Sequence, residues 1–164
     1  MSIDDSSTVN SPLGKKLLGF SHEDFIETKS KNESSFHKKN NNKRRVILVD
    51  DDKEILFTYR LFLEGYDYNI ISFTNPFLAL NYIRDISDFK DLLVILDIRM
   101  ENLNGFQLHQ QIKVIDSTIN IIFVTVLDIL DEILTIVPGI SKDQIMRKPV
   151  DEKEFTNTVN RLFN

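Results

Sequence analysis

The chain has 164 residues, with 20 Lys and Arg against 25 Asp and Glu for a formal charge of −5; this fits one domain of common size with an appendage and argues against a general nucleic-acid binder, whose footprint is a basic excess. Cysteine is absent, which removes disulfides, thiol nucleophiles and Cys-ligated metal centres. No apolar run approaches the ~18–20 residues that span a bilayer, and the start, with Asp4 and Asp5, lacks the apolar stretch of a secretory signal. A cytoplasmic protein without stable membrane insertion is expected.

The average composition hides two unlike parts. Residues 1–44 hold 10 apolar side chains, and 8 Lys and Arg against 6 Asp and Glu; the rest of the chain holds 58 apolar side chains and is acidic. The first part also carries Ser6-Ser7, Ser34-Ser35 and Asn40-Asn41-Asn42. It has too little apolar area to offset its conformational entropy, so 1–44 reads as a disordered polar tail and 45–164 as the folded body. Within the tail, Ser11 to Phe20 mixes apolar and basic residues. A membrane-surface or docking role competes there with a plain floppy arm, and Gly14 and Gly19 favour the arm.

From Arg45 the chain alternates strand and helix. Val46-Ile47-Leu48-Val49 is a continuous apolar run ending in Asp50-Asp51-Asp52, the pattern of a strand buried on both faces. Ile55, Leu56, Tyr59, Phe62 and Leu63 follow at helical spacing, with Gly65 as the stop. Asn69 to Phe73 is a second strand, and Asn75-Pro76 supplies the N-cap and first-turn proline of a helix through Phe77, Leu80 and Ile83. Leu92 to Asp97 is the strongest central strand, and a loop to Gly105 leads into a helix with Phe106, Leu108 and Ile112. Ile119 to Thr125 is a fourth strand, a helix over roughly 128–137 ends at Pro138-Gly139, and Gln144 to Arg147 is a short fifth strand. After Lys148-Pro149 the last helix opens with Asp151 and Glu154 in capping-box spacing and continues through Phe155, Val159, Leu162 and Phe163. Five such units predict an α/β fold, a parallel sheet with helices on both faces.

The chemistry follows from where the polar residues fall. Ligands of open α/β sheets bind at the carboxyl ends of the strands. The first strand ends in Asp50 and Asp51, the third in Asp97, the fourth in Thr125 and the fifth in Lys148. Singly, an aspartate there is a turn or cap residue, a threonine is β-branched filler and Lys-Pro is a loop. Together, three carboxylates, a hydroxyl and an ammonium on one edge form a constellation. Carboxylates so close repel, and a hard divalent cation resolves the conflict. An all-oxygen site with few protein ligands suits Mg²⁺, and the set fits phosphoryl transfer with an aspartate as covalent acceptor.

Four segments then carry a resemblance: Val46 to Asp52, Leu96-Asp97-Ile98-Arg99-Met100 with Gly105-Phe106, Ile121 to Thr125, and Lys148-Pro149. Together they resemble the receiver domain of two-component response regulators, over residues ~45–164. The resemblance implies a flavodoxin-like doubly wound (βα)₅ fold with a five-stranded parallel sheet of order 2-1-3-4-5. It implies that Asp97 accepts a phosphoryl group from a sensor histidine kinase or phosphotransfer protein. Mg²⁺ would be held by Asp51 directly, by Asp50 mainly through water, by Asp97 and by the backbone carbonyl of Arg99. Lys148 and Thr125 would contact the phosphoryl oxygens and transmit the switch. Such a domain is a phosphorelay signalling module, not an enzyme.

Departures from the family pattern are informative. Glu101 stands where the family usually has proline. Val126 replaces a small residue after the threonine and would slow phosphoryl traffic. Ile145 occupies the place of an aromatic switch partner and, with Pro149, belongs to the conformational positions. Arg99 and Leu127 sit where members tune self-dephosphorylation, and Leu127 cannot orient a water. The fourth helix is unusually apolar, with Ile129, Leu130, Ile133, Leu134, Ile136 and Val137. Either it is deeply buried, or the face of fourth helix, fifth strand and fifth helix is a homodimer or output surface for an unknown protein target. Because the sequence closes at Asn164, a stand-alone regulator acting through protein contact is expected. Two alternatives are a receiver-like interaction module with weak or lost phosphorylation, and a metal-dependent hydrolase using Asp97. The second is disfavoured because Arg99 stands where aspartate-nucleophile phosphatases carry a second aspartate. His22, His37 and His109 are scattered along the chain.

Overall fold

The computed structural model describes residues 43–126 and 130–163. The tail as far as residue 42, including Ser11 to Phe20, lies outside the described residues, as do Leu127, Asp128 and Ile129. Five strands, β1 (Arg44–Val49), β2 (Tyr68–Phe73), β3 (Leu92–Asp97), β4 (Asn120–Thr125) and β5 (Ile145–Arg147), form one parallel sheet of order β2-β1-β3-β4-β5. Between and after them run α1 (Lys53–Phe62), α2 (Pro76–Arg84), α3 (Gly105–Ile115), α4 (Leu130–Ile136) and α5 (Glu152–Leu162). The expected fold class and strand order are the observed ones. Arg44, assigned to the tail by composition, is already the first residue of β1 and pairs with Tyr68.

Strand alternation divides the apolar residues between two cores. Ile47 and Val49 of β1, Val94 and Leu96 of β3, and Ile121 and Phe123 of β4 face α2, α3 and α4. Their neighbours Val46, Leu48, Leu93, Ile95, Ile122 and Val124 face α1 and α5, where Leu56, Tyr59, Phe155 and Val159 cover them. This two-sided burial is why these strands read as unbroken apolar runs rather than alternating ones. The Tyr59 ring stacks on Phe155 at 4.6 Å, tying α1 to α5.

The helix boundaries follow local chemistry. Asp52 caps α1 by accepting from Glu54 and Ile55, and Asn75 caps α2 by accepting from the backbone of Phe77 with Pro76 in the first turn. Gly65 has φ of 90°, which a residue with a Cβ rarely adopts, and it turns the chain toward β2. Asp151 caps α5 from Lys153 and Glu154. The capping box expected there is one-sided; the reciprocal box forms instead at Asn104 and Gln107 on α3. Gln144 lies in a short 3₁₀ turn (Lys142–Gln144) rather than in β5, because its amide reaches back to the carbonyl of Ile121.

The apolar residues of the fourth helix are only partly buried. Ile133 and Val137 are buried in the core, while Ile136 remains 55 % exposed. Among the described residues no helix is long and apolar enough to cross a membrane.

One buried polar group has a consequence for stability. His109 on α3 is 8 % exposed, its ring 5.5 Å from that of Phe123. Burial, then the nearby Lys113 charge, lowers its pKa to about 4. An unfolded histidine titrates near ~6.5, so the folded state resists a proton that the unfolded state accepts. The stability that neutral His109 confers is present above that pH, is lost progressively as pH falls, and levels off below about 4. Urea unfolding of the wild type and His109→Gln at pH 7.5, 6 and 5 will show wild type losing ground to the variant, toward a limit on the order of 3 kcal/mol. A pH-independent difference would contradict this.

Candidate functional site

The carboxyl ends of β1, β3, β4 and β5 share one edge because the register is parallel: Val49 pairs with Leu96, Asp97 with Val124, and Thr125 with Arg147. Asp50 and Asp51 leave β1, Asp97 closes β3, Thr125 closes β4 and Lys148 follows β5. The carboxylate oxygens of Asp50, Asp51 and Asp97 come within 4.8 Å of one another. Asp50 and Asp97 are buried at 2 % and 5 % exposure, whereas Asp51 is exposed.

Lys148 enters this group from the fifth strand. Its Nζ donates to Asp50 Oδ2 at 2.6 Å and stands 3.3 Å from Asp97 Oδ1. The second approach is an ion-pair contact without hydrogen-bond alignment, so Asp97 Oδ1 is a buried acceptor with no hydrogen-bond donor. The backbone N–H of Asp52 donates to Asp50 Oδ1 at 3.0 Å. The backbone N–H of Lys148 donates to the Thr125 carbonyl at 2.8 Å, which fixes the lysine's main chain beside the threonine. Thr125 is itself 1 % exposed.

Desolvation raises the pKa of both buried aspartates, with Lys148 pulling each back. For Asp97 the backbone N–H groups of Arg99 and Ile98 also pull downward, and for Asp50 that of Asp52 does. Three carboxylates against one ammonium leave a net negative pocket in which one acceptor oxygen has no donor. These oxygen donors fit a hard divalent cation such as Mg²⁺, which needs few protein ligands and keeps several waters.

The remaining expected residues lie around this centre. The Arg99 side chain is exposed, Val126 is 49 % exposed directly after Thr125, and Pro149 is exposed. Ile145 is half-buried against the core that includes Phe123 and offers no ring to the site. Leu127 is outside the described residues. Of the three histidines, His109 is buried in α3, and His22 and His37 fall outside the described residues.

Gly105, expected as a loop end and as part of the resembling segment, has a steric role that the sequence does not show. A Cβ built there would lie 2.3 Å from the Asp97 carbonyl oxygen and 2.8 Å from the Ile98 Cα. The Gly105 N–H donates to the Ile98 carbonyl at 3.0 Å, closing the loop that leaves the acceptor strand. A glycine just before a helical apolar pattern, a few residues past a strand-end aspartate, was the available signal.

The family model for the response regulator receiver domain matches residues 46–160. The chain belongs to that family. Receiver domains serve phosphorelay signalling, bind Mg²⁺ at an acidic pocket and interact with histidine kinases and phosphotransfer proteins. Solved structures agree on the fold. A receiver protein from Sinorhizobium medicae WSM419 has TM-score 0.65 at 19 % identity, covering 75 % of this chain and 96 % of that chain. One from Clostridium thermocellum has TM-score 0.62 at 22 % identity, covering 73 % and 94 %. One from Methanospirillum hungatei JF-1 has TM-score 0.63 at 20 % identity, covering 74 % and 94 %. No curated protein sequence matches the chain significantly.

Because the displaced atoms at Gly105 would be backbone, Gly105→Ala is expected to destabilise the domain by about 1–3 kcal/mol. Urea unfolding measures this. A variant as stable as wild type would show that the loop accommodates a Cβ.

Proposed function

We propose that this receiver domain is a working phosphoryl switch with Asp97 as the acceptor. The observation that carries the reading is the buried Asp97 carboxylate, one oxygen without a hydrogen-bond donor, within 4.8 Å of Asp50 and Asp51 and beside the Lys148 ammonium. Asp50, Asp51 and Asp97, with the backbone carbonyl of Arg99, would hold Mg²⁺. Bound there, Mg²⁺ neutralises charge on the transferring group.

The residues divide the work. An Asp97 carboxylate oxygen forms the new O–P bond as the N–P bond to the donor phosphohistidine breaks, and the departing imidazole keeps the electron pair and takes a proton from solvent. The low dielectric around Asp97 strengthens the Lys148 contact and keeps bulk water from the acyl phosphate. After transfer, the Lys148 ammonium and the Thr125 hydroxyl, on adjoining strands, provide charge-assisted contacts to the phosphoryl oxygens. Those contacts bias the β4 and β5 loops, and the output is protein–protein contact.

A second reading, an interaction module with weak or lost phosphorylation, is favoured by two observations. Val126, half exposed, directly follows Thr125 where the family has a small residue, and Ile145 lacks the ring through which the family couples threonine to its surface.

Intact mass after incubation with Mg²⁺ and acetyl phosphate separates the two. One phosphoryl adduct is expected on the wild type, absent in Asp97→Asn and in EDTA. No adduct on folded wild type, with a histidine kinase donor also failing, would favour the interaction module.

A further inference from the structure

We infer that the free edge of β2 is a surface built to pair with the β2 edge of a second copy, and that Arg60, reaching over from α1, holds it closed.

The sheet has two margins, β2 and β5, and they differ in kind. β5 is three residues long, carries the exposed Arg147 and runs into Lys148-Pro149. Shortness, charge and proline are the usual means by which a sheet edge is kept from pairing. β2 shows none of these. Its six residues, Tyr68-Asn69-Ile70-Ile71-Ser72-Phe73, include no charge, no proline and no glycine. Aromatic and β-branched side chains fill most of the strand, the composition of a segment that pairs readily with its own kind. Among the described residues its one strand neighbour is β1.

The backbone groups on the free side follow from one bond. The Phe73 carbonyl accepts from the Asp50 N–H, on the side of β1. Backbone groups alternate sides along a strand, so the carbonyls of Tyr68, Ile70 and Ser72 and the N–H groups of Ile70 and Ser72 face away from β1. An antiparallel second copy with Ile70 opposite Ile70 sets Tyr68 against Ser72 in both directions. The same groups then meet one another across a twofold axis. Arg60 occupies the middle of that ladder: its Nη1 donates to the Ile70 carbonyl and to Ser72 Oγ, each at 3.4 Å. Bonds this long contribute little by themselves, and the effect lies in position and charge. Pairing has to displace the guanidinium from the carbonyl on the axis, and it brings the guanidiniums of both copies together.

The test is sedimentation over a range of concentrations on the full chain, for wild type, Arg60→Ala, Arg60→Met and Arg60→Ala/Ser72→Pro. Amide hydrogen exchange is read at Ile70 and Ser72 in the same samples. Arg60→Ala is expected to self-associate about tenfold more tightly than wild type, with the Ile70 and Ser72 N–H groups gaining protection as concentration rises. Arg60→Met keeps the packing of the stem while removing the guanidinium, and is expected to behave alike. Ser72→Pro removes an outward N–H and leaves the β1 ladder intact, so the double variant is expected to return to wild-type behaviour. If Arg60→Ala and Arg60→Met unfold cooperatively in urea and associate no more than wild type, the inference is overturned. Association without protection at Ile70 and Ser72 also overturns it, because the contact then lies on another face.

Discussion

Negative charge held out of water is the constraint on which the rest of this structure depends. Asp50 and Asp97 are nearly excluded from solvent and lie beside Asp51, an arrangement that costs free energy for every carboxylate kept ionised. One buried ammonium offsets only part of it. A parallel sheet tolerates this because its strand ends converge at a single edge, where oxygen donors from separate loops are brought together without any of them leaving its own hydrogen-bonded frame. The two apolar cores, one on each face, supply the stability against which the electrostatic penalty is set.

Within that frame the small residues matter as much as the charged ones. Gly105 lets α3 begin almost in contact with the backbone of Asp97. The three consecutive aspartates after β1 have three different roles in space: Asp50 turns inward, Asp51 stays in solvent at the rim, and Asp52 caps α1. The same residue type thus serves as buried anion, exposed ligand candidate and ordinary helix cap within three positions.

Much of this was legible in the amino-acid sequence, for physical reasons. Strands buried on both faces must be apolar throughout, so Val46 to Val49 and Leu92 to Leu96 announced themselves, and Asn75-Pro76 has few uses other than opening a helix. The convergence of Asp50, Asp51, Asp97, Thr125 and Lys148 followed once strand order was known. What stayed hidden depends on contacts between residues distant in the chain. The Gln144 amide bonds to the Ile121 carbonyl and pulls Gln144 out of β5; no local pattern records that. Whether His109 was a surface residue or a buried one turned on its packing against Phe123. The nearer partner of Lys148 is set by side-chain geometry, not by spacing. The apolar surplus of the fourth helix belonged partly to the core, at Ile133 and Val137, and partly to the surface, at Ile136.

The strands that carry the site differ greatly in how firmly they are held. Asp97 ends β3, six residues buried throughout and hydrogen-bonded to a strand on either side. Lys148 follows β5, three residues long and at the sheet margin with one neighbour. Local opening free energy rises with the number of ladder bonds and buried contacts that must break together. The buried Asp97 carboxylate is thus mounted on a strand held from both sides, and the Lys148 ammonium follows a short strand held from one. A strain imposed at this edge of the sheet would therefore open the margin before the centre.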